Sequence, residues 1–99
     1  MASNRIVHVL IRGRVHGVGF RAWTRHNAEL RRLEGWVRNR RDGTVEAVFA
    51  GDEDAVAAML QACRQGPSGA QVEDVETDEG DRDAIPRPGS GRFEVLGTV

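Results

Sequence analysis

The stretch Gly13-Arg14-Val15-His16-Gly17-Val18-Gly19-Phe20-Arg21 sets three glycines and a closing arginine between a strand-like run and a helix-like run. That is the composition of an anion cradle. Glycines let successive backbone N–H groups turn toward one point without interference from Cβ, and a helix start adds unpaired donors and the positive end of its dipole. Arg21 then offers a planar fork of donors that matches a phosphoryl group. A cation at a helix N-terminus is otherwise disfavoured by ~0.3–1 kcal/mol when exposed, and an anion held between Arg21 and the loop turns that penalty into attraction. The plain alternative is a tight strand-to-helix turn with Arg21 solvated. His16 is placed to act as a general base, although one histidine in such a loop more often orders the loop or meets solvent. His8 and His26 show no ligand spacing with it, so no metal is expected.

Gly17-x-Gly19-x-x-Ala22 also satisfies the loose dinucleotide fingerprint, which demands a parallel βαβ unit with an acid ending its second strand about 20 residues on. The nearest acid here is Asp42, inside a hairpin turn. A dinucleotide is therefore not expected, and no cofactor is implied.

These groups must be positioned by the elements around them. Ile6 to Ile11 alternates as a first strand, with Val7, Val9 and Ile11 on one face and His8 on the other. From Phe20 to Leu33 the period becomes helical, with Phe20, Trp23, Asn27, Leu30 and Leu33 as one stripe and Gly35 as a left-handed cap. Trp36–Arg40 and Thr44–Phe49 form two strands joined across Arg41-Asp42-Gly43, and Asp-Gly is a strong hairpin signal. A second helix opens at Gly51-Asp52-Glu53-Asp54 with Asp52 as its cap, buries Val56, Met59, Leu60 and Cys63, and stops at Gly66-Pro67. Gln71 to Glu76 reads as a fourth strand whose Val72 and Val75 suggest a bulge. Asp78 to Gly91 reads as a mobile acidic loop, and Arg92 to Leu96 as a short last strand with Phe93 and Val95 inward.

The order βαββαβ plus a short final strand predicts an α+β, ferredoxin-like sandwich, an antiparallel sheet with two helices on one face. Strands one and two, joined through a helix, run in the same direction, so their carboxyl ends share one edge of the sheet. The glycine loop leaves strand one at that edge and Asn39 lies at the same end of strand two. They are placed to converge, although Asn39 alone also suits a polar cap on the hairpin turn.

Composition limits what else the chain can be. At 99 residues it is expected to form one domain over 1–99, too small for a catalytic domain plus a cofactor domain. There is no apolar run of ~20 residues and no charged-then-apolar leader before Arg5, so no membrane partner is expected and a cytoplasmic monomer is. Cys63 is the only cysteine, which excludes an internal disulfide and suits core packing. All fourteen basic residues are arginine, so a Walker-type lysine and Schiff-base chemistry are excluded. Residues 1–50 hold ten of them against four acids, and the basic half is the half with the glycine loop. The competing class is a non-enzymatic ferredoxin-like module that binds anions or RNA, or regulates. An RNA-binding sheet displays aromatics on its open face; here Phe20, Trp23, Phe49 and Phe93 are claimed by the core or the helix stripe, so nucleic acid is not expected.

Two segments, Gly13-x-Val15-His16-Gly17-Val18-x-Phe20-Arg21 and Gly35-Trp36-Val37-Arg38-Asn39-x-x-x-Gly43-x-Val45-x-x-x-x-x-Gly51, resemble the two signatures of the acylphosphatase family. Length, element order and the closing Phe93-x-Val95 agree, so the resemblance covers nearly the whole chain. It implies a hydrolase that cleaves the carboxyl-phosphate bond of small acyl phosphates, with inorganic phosphate as product or inhibitor. It further implies that Val15, His16, Gly17, Val18, Gly19 and Phe20 form the phosphate loop, that Arg21 binds the phosphoryl group with the loop N–H groups, and that Asn39 orients the attacking water. His16 departs from the family's usual glutamine.

Overall fold

Alternation in β1 (Asn4–Arg14) and β3 (Val45–Asp52) fully buries Val7, Val9, Ile11, Val45, Ala47 and Phe49 on one face of a sheet. The computed structural model describes residues 4–85 and 90–99. Its other elements are α1 (Phe20–Leu30), β2 (Glu34–Asn39), α2 (Glu53–Cys63), β4 (Gln71–Glu79), a 3-10 turn at Arg82–Ala84 and β5 (Phe93–Val95). The five strands lie in the order β4-β1-β3-β2-β5. Every pairing is antiparallel except β2 with β5, so the architecture is the ferredoxin-like sandwich with a short final strand. Phe20 and Ala28 of α1 and Val56, Met59 and Cys63 of α2 complete the core on that face. Burial pushes the Cys63 thiol up to about 12 against a smaller opposing effect of Arg31, so it packs as an apolar group.

Several local expectations are corrected. Helix α1 stops at Leu30 rather than Leu33, and its buried line is Phe20, Thr24 and Ala28, one helical turn apart. Thr24 enters the core because its hydroxyl donates to the Phe20 carbonyl at 2.8 Å, and small Ala28 permits close approach. Leu30 is 66 % exposed, while Leu33 is buried from the turn beyond the helix. Gly35 is no cap: it sits inside β2 at φ 135°, where a Cβ would lie 1.9 Å from the Val48 carbonyl oxygen. The left-handed residue that closes α1 is Arg32, φ 57°, followed by Leu33 N–H donating to Ala28 O at 2.9 Å. Asp52 occupies the position before α2, but its side chain makes no capping bond.

The bulge in β4 is present, since pairing with β1 passes from Arg12↔Asp74 to Gly13↔Val72 and skips Glu73. The expected mobile loop at 78–91 is largely ordered where described. Asp78 and Glu79 extend β4, and Ile85 is buried with Trp36, Val48 and Ala50 on the second face of the sheet. Trp36 Nε1 donates to the Ala84 carbonyl at 2.6 Å, which ties that segment down. The remainder of that loop, 86–89, lies outside the described residues. Val95 was expected inward but is 40 % exposed.

Beside this second apolar cluster stands a charged one. The Glu46 carboxylate accepts from His8 Nε2 at 2.6 Å, Arg38 Nε at 2.7 Å and Arg40 Nη1 at 3.3 Å. Burial raises the Glu46 pKa, but the hydrogen bonds and charge of His8 and Arg38 outweigh it and hold the group below its usual value.

Two stability predictions follow from these positions. An L-residue in the left-handed region costs about 1–2 kcal/mol, and glycine adds about 0.4–1 kcal/mol of unfolded-state entropy. Arg32→Gly should therefore raise stability by up to ~1.6 kcal/mol, read as a higher urea midpoint; a lower midpoint would mean that the Arg32 side chain contributes more than the strain removes. Because the Glu46 pKa is depressed on folding, its contribution is full above the unfolded carboxylate value of ~4.3 and is lost as pH falls through the folded value. Glu46→Gln should lower stability at neutral pH and flatten the acid limb of the stability curve. An unchanged acid limb would assign the loss to other carboxylates.

Candidate active site

The chain leaves β1 at Arg14 and enters α1 at Phe20 through five residues whose two ends are anchored in the core by Val15 and Phe20. Phe20 packs edge-on against Trp23 at 5.3 Å, and half-buried Val18 rests on the same core. Gly17 and Gly19 take φ 72° and 76°, and nothing lies within 4 Å of a Cβ built on either. Positive φ rather than crowding demands glycine there. Gly19 directly precedes α1, whose first turn holds no acidic residue and no side-chain cap. The unpaired N–H groups and the dipole of α1 therefore point into the loop unopposed.

His16 turns away from this space. Its Nε2–H donates to the Thr44 carbonyl at 2.8 Å and ties the loop to the start of β3. An amide side chain can make the same bond, which gives histidine a physical equivalence with the glutamine usual in the family.

Asn39 is the last residue of β2, paired with Val45 of β3. On its other side the Val99 N–H donates to the Asn39 carbonyl at 3.1 Å, and Arg41 N–H donates to the Val99 carbonyl at 2.7 Å. The terminal residues, which sequence left without a role, thus flank Asn39. Asn39 does not cap the hairpin turn: Asp42 does, accepting from Thr44 N–H at 3.0 Å and the Thr44 hydroxyl at 2.7 Å. Those two bonds, side chain first, hold the Asp42 carboxyl below its usual pKa despite slight desolvation. The Asn39 Oδ1 atom is buried with no hydrogen-bond partner among the described residues.

Val15, Gly17, Gly19, Phe20, Arg21 and Asn39 line one cleft of about 590 Å³. Of the residues predicted for the site, His16 and Val18 do not line it. Sequence alone did not single out its outer wall, Ala22, Arg25, His26 and Glu29 of α1 and Val95 of β5. A signal existed in the four-residue spacing of Arg21, Arg25 and Glu29 along the helix. Arg25 Nε stands 3.6 Å from Glu29 Oε1, so this wall carries both signs of charge. Among the described residues no three His, Cys, Asp or Glu side chains converge in metal-ligand fashion.

The dinucleotide reading fails on topology, because β3 lies antiparallel between β1 and β2 and leaves no parallel crevice. No aromatic ring is among the exposed large hydrophobics of the described residues, and Trp36 on the second face is covered. No helix of the described residues is long and apolar enough to cross a membrane.

A sequence-family model described as acylphosphatase matches residues 7–94. The chain is 52 % identical over 98 residues to an acylphosphatase of Rhodopseudomonas palustris strain BisB5, spanning 98 % of this chain and 99 % of that protein. It is 55 % identical over 93 residues to an acylphosphatase of Azorhizobium caulinodans, spanning 94 % and 96 %. The solved structure of an acylphosphatase from Coxiella burnetii superposes with a TM-score of 0.84 at 32 % identity, covering 94 % of this chain and 93 % of that one. These similarities do not favour a non-enzymatic binding module. The chain belongs to the acylphosphatase family, whose members hydrolyse acyl phosphates.

Proposed function

We propose that the chain hydrolyses small acyl phosphates by direct in-line attack of a water, with the phosphoryl group held by the 15–20 loop and Arg21 and the water held by Asn39. One observation carries the reading: Asn39, whose buried Oδ1 has no hydrogen-bond partner among the described residues, lines the same cleft as the loop and Arg21. A buried acceptor without a partner costs about 1–3 kcal/mol. Turning the Asn39 amide toward the cleft would let a water donate to Oδ1, which removes that cost and leaves the water's own lone pair free for phosphorus.

The chemistry suits so few groups. In an acyl phosphate the leaving group is a carboxylate of pKa about 4.3, which departs without a proton. Water oxygen bonds to phosphorus, the P–O bond to the acyl group breaks with its electron pair on the carboxylate, and a phosphate oxygen accepts the water proton because an amide is no base. Phosphoryl transfer has a loose transition state with charge on the equatorial oxygens, so positioning and fixed positive donors supply the catalysis. The loop N–H groups and Arg21 provide the donors. His16 keeps the loop and the Asn39 hairpin in register through Thr44. No metal is required, and the protein acts as a cytoplasmic monomer.

Purified protein should hydrolyse acetyl phosphate and leave aryl phosphate monoesters nearly untouched, since only the former has a leaving group that needs no acid. Comparable rates on both would sink this mechanism, and activity lost to a chelator and restored by Mg²⁺ or Zn²⁺ would show a metal at work.

The two assigned roles separate by substitution. Arg21→Ala should abolish phosphate inhibition together with turnover, and Arg21→Lys should rescue poorly because an ammonium lacks the fork. Asn39→Ala should lower kcat by ~10²-fold or more while phosphate still binds. Loss of phosphate affinity with kcat retained in Asn39→Ala would make Asn39 a brace for the loop instead.

A further inference from the structure

We infer that Glu46 is a positioning residue for turnover: from the opposite face of the sheet, its carboxylate ties down both chain neighbours of Asn39 and so fixes the Asn39 amide in the cleft. The inference rests on Asn39 as the group that holds the water. Side chains alternate across a strand. With Asn39 directed to the cleft, Arg38 and Arg40 fall on the other face, and one oxygen, Glu46 Oε1, accepts from both, at 2.7 and 3.3 Å.

Each part of this clamp is itself held. Glu46 lies directly across from Arg38 in the β2–β3 register and across from Leu10 in the β1–β3 register, so it sits at the centre of the sheet. Its side chain is only 8 % exposed, and His8 of β1 donates to its second oxygen at 2.6 Å. The Arg38 guanidinium lies 4.7 Å from the Trp36 ring centroid, which limits its freedom further. The carboxylate thus carries the rigidity of β1 and β3 to the last residues of β2.

Asn39 lies at the end of its strand, where backbone bonds to β3 and Val99 fix its main chain but not the direction of its amide. Pairing between β2 and β3 stops at Asn39↔Val45, and the chain turns at once through Asp42 and Gly43. A small rotation of this end about the strand axis would keep the backbone bonds while swinging the amide. A misplacement of about 1 Å can cost ~10²-fold in rate. Burying charges is also poor value for stability alone, because desolvation cancels much of the attraction. Two arginines on one buried carboxylate directly behind the water-holding residue are accounted for by position. Arg21 stands on α1, and the phosphate loop meets the clamp at the Thr44 carbonyl, which accepts from His16 Nε2 at 2.8 Å and from the Arg40 N–H at 2.9 Å, away from the Glu46 carboxylate, so substrate affinity and turnover should separate.

The test is a kinetic cycle on acetyl phosphate with wild type, Glu46→Gln, Asn39→Ala and the double variant, reading kcat and the phosphate inhibition constant and checking each fold by circular dichroism. Glu46→Gln should lower kcat by about 10-fold, a partial share of the ~10²-fold of full misplacement, with the inhibition constant unchanged. In the Asn39→Ala background the same substitution should add no further loss, because the amide it positions is gone. An equal further loss in that background would overturn the inference and make Glu46 merely structural, and so would a wild-type kcat in Glu46→Gln. Should Glu46→Gln fail to fold, Arg38→Met cuts the shorter bridge and is read in the same cycle with the same outcomes. If Asn39→Ala itself keeps wild-type kcat, the water-holding role falls and the clamp with it; if it loses kcat while Glu46→Gln does not, only the clamp falls.

Discussion

The first turn of α1 carries a guanidinium and no carboxylate, where the helix dipole is already positive. An anion would resolve that imbalance, and the surrounding structure keeps it unresolved from within the protein. Gly17 and Gly19 adopt positive φ, so the loop folds back without side chains that would fill the space. Val15 and Phe20 pin both ends in the core, and His16 spends its donor on Thr44 rather than on the cleft. Acidic residues are present in number, but they lie mostly in the second half of the chain, on α2, β4 and the turn beyond.

Topology adds the second half of the chemistry. A loop at the end of β1 can present donors, but it has no means of aiming a water from the opposite side. The crossover through α1 makes β1 and β2 run the same way with β3 between them, so the end of β2 returns to the same edge of the sheet two strand positions away. Neighbouring strands lie about 4.8 Å apart, which makes that offset about 10 Å. Arg21 and Asn39 accordingly line one cleft from different elements, as the proposed division between phosphoryl group and water requires. An adjacent parallel pair, as a dinucleotide site requires, would be too close for this division of labour.

Much of this was legible in the residues. Strand alternation in Val7-His8-Val9-Leu10-Ile11, the Asp42-Gly43 turn and the glycine loop each have a local physical cause, and local causes survive into the fold. The errors arose where tertiary contact overrides local preference. Nothing near Thr24 marks it as more buried than Leu30; only the closeness of α1 to the sheet selects the small side chain. Gly35 looked like a helix cap because its real constraint, the Val48 carbonyl, lies on another strand. Ile85 was hidden in an acidic, Gly- and Pro-rich stretch, and its partner Trp36 is 49 residues earlier in the chain. The outer wall of the cleft and the Val99 contact with Asn39 were invisible for the same reason, since both join segments far apart in sequence.

The two faces of the sheet consequently serve different ends. The face under the helices is apolar and sets the spacing between β1, β3 and β2, which fixes where the loop and Asn39 stand. The second face is divided between the Trp36 cluster and the Glu46 cluster, and the charged part lies behind Asn39. An apolar residue at position 46 would pack against its neighbours but could not hold two guanidinium groups in fixed directions, because dispersion contacts are not directional and hydrogen bonds are. Burial of a charged carboxylate is tolerable here because it has three donors, and two of them, Arg38 and Arg40, are the chain neighbours of Asn39.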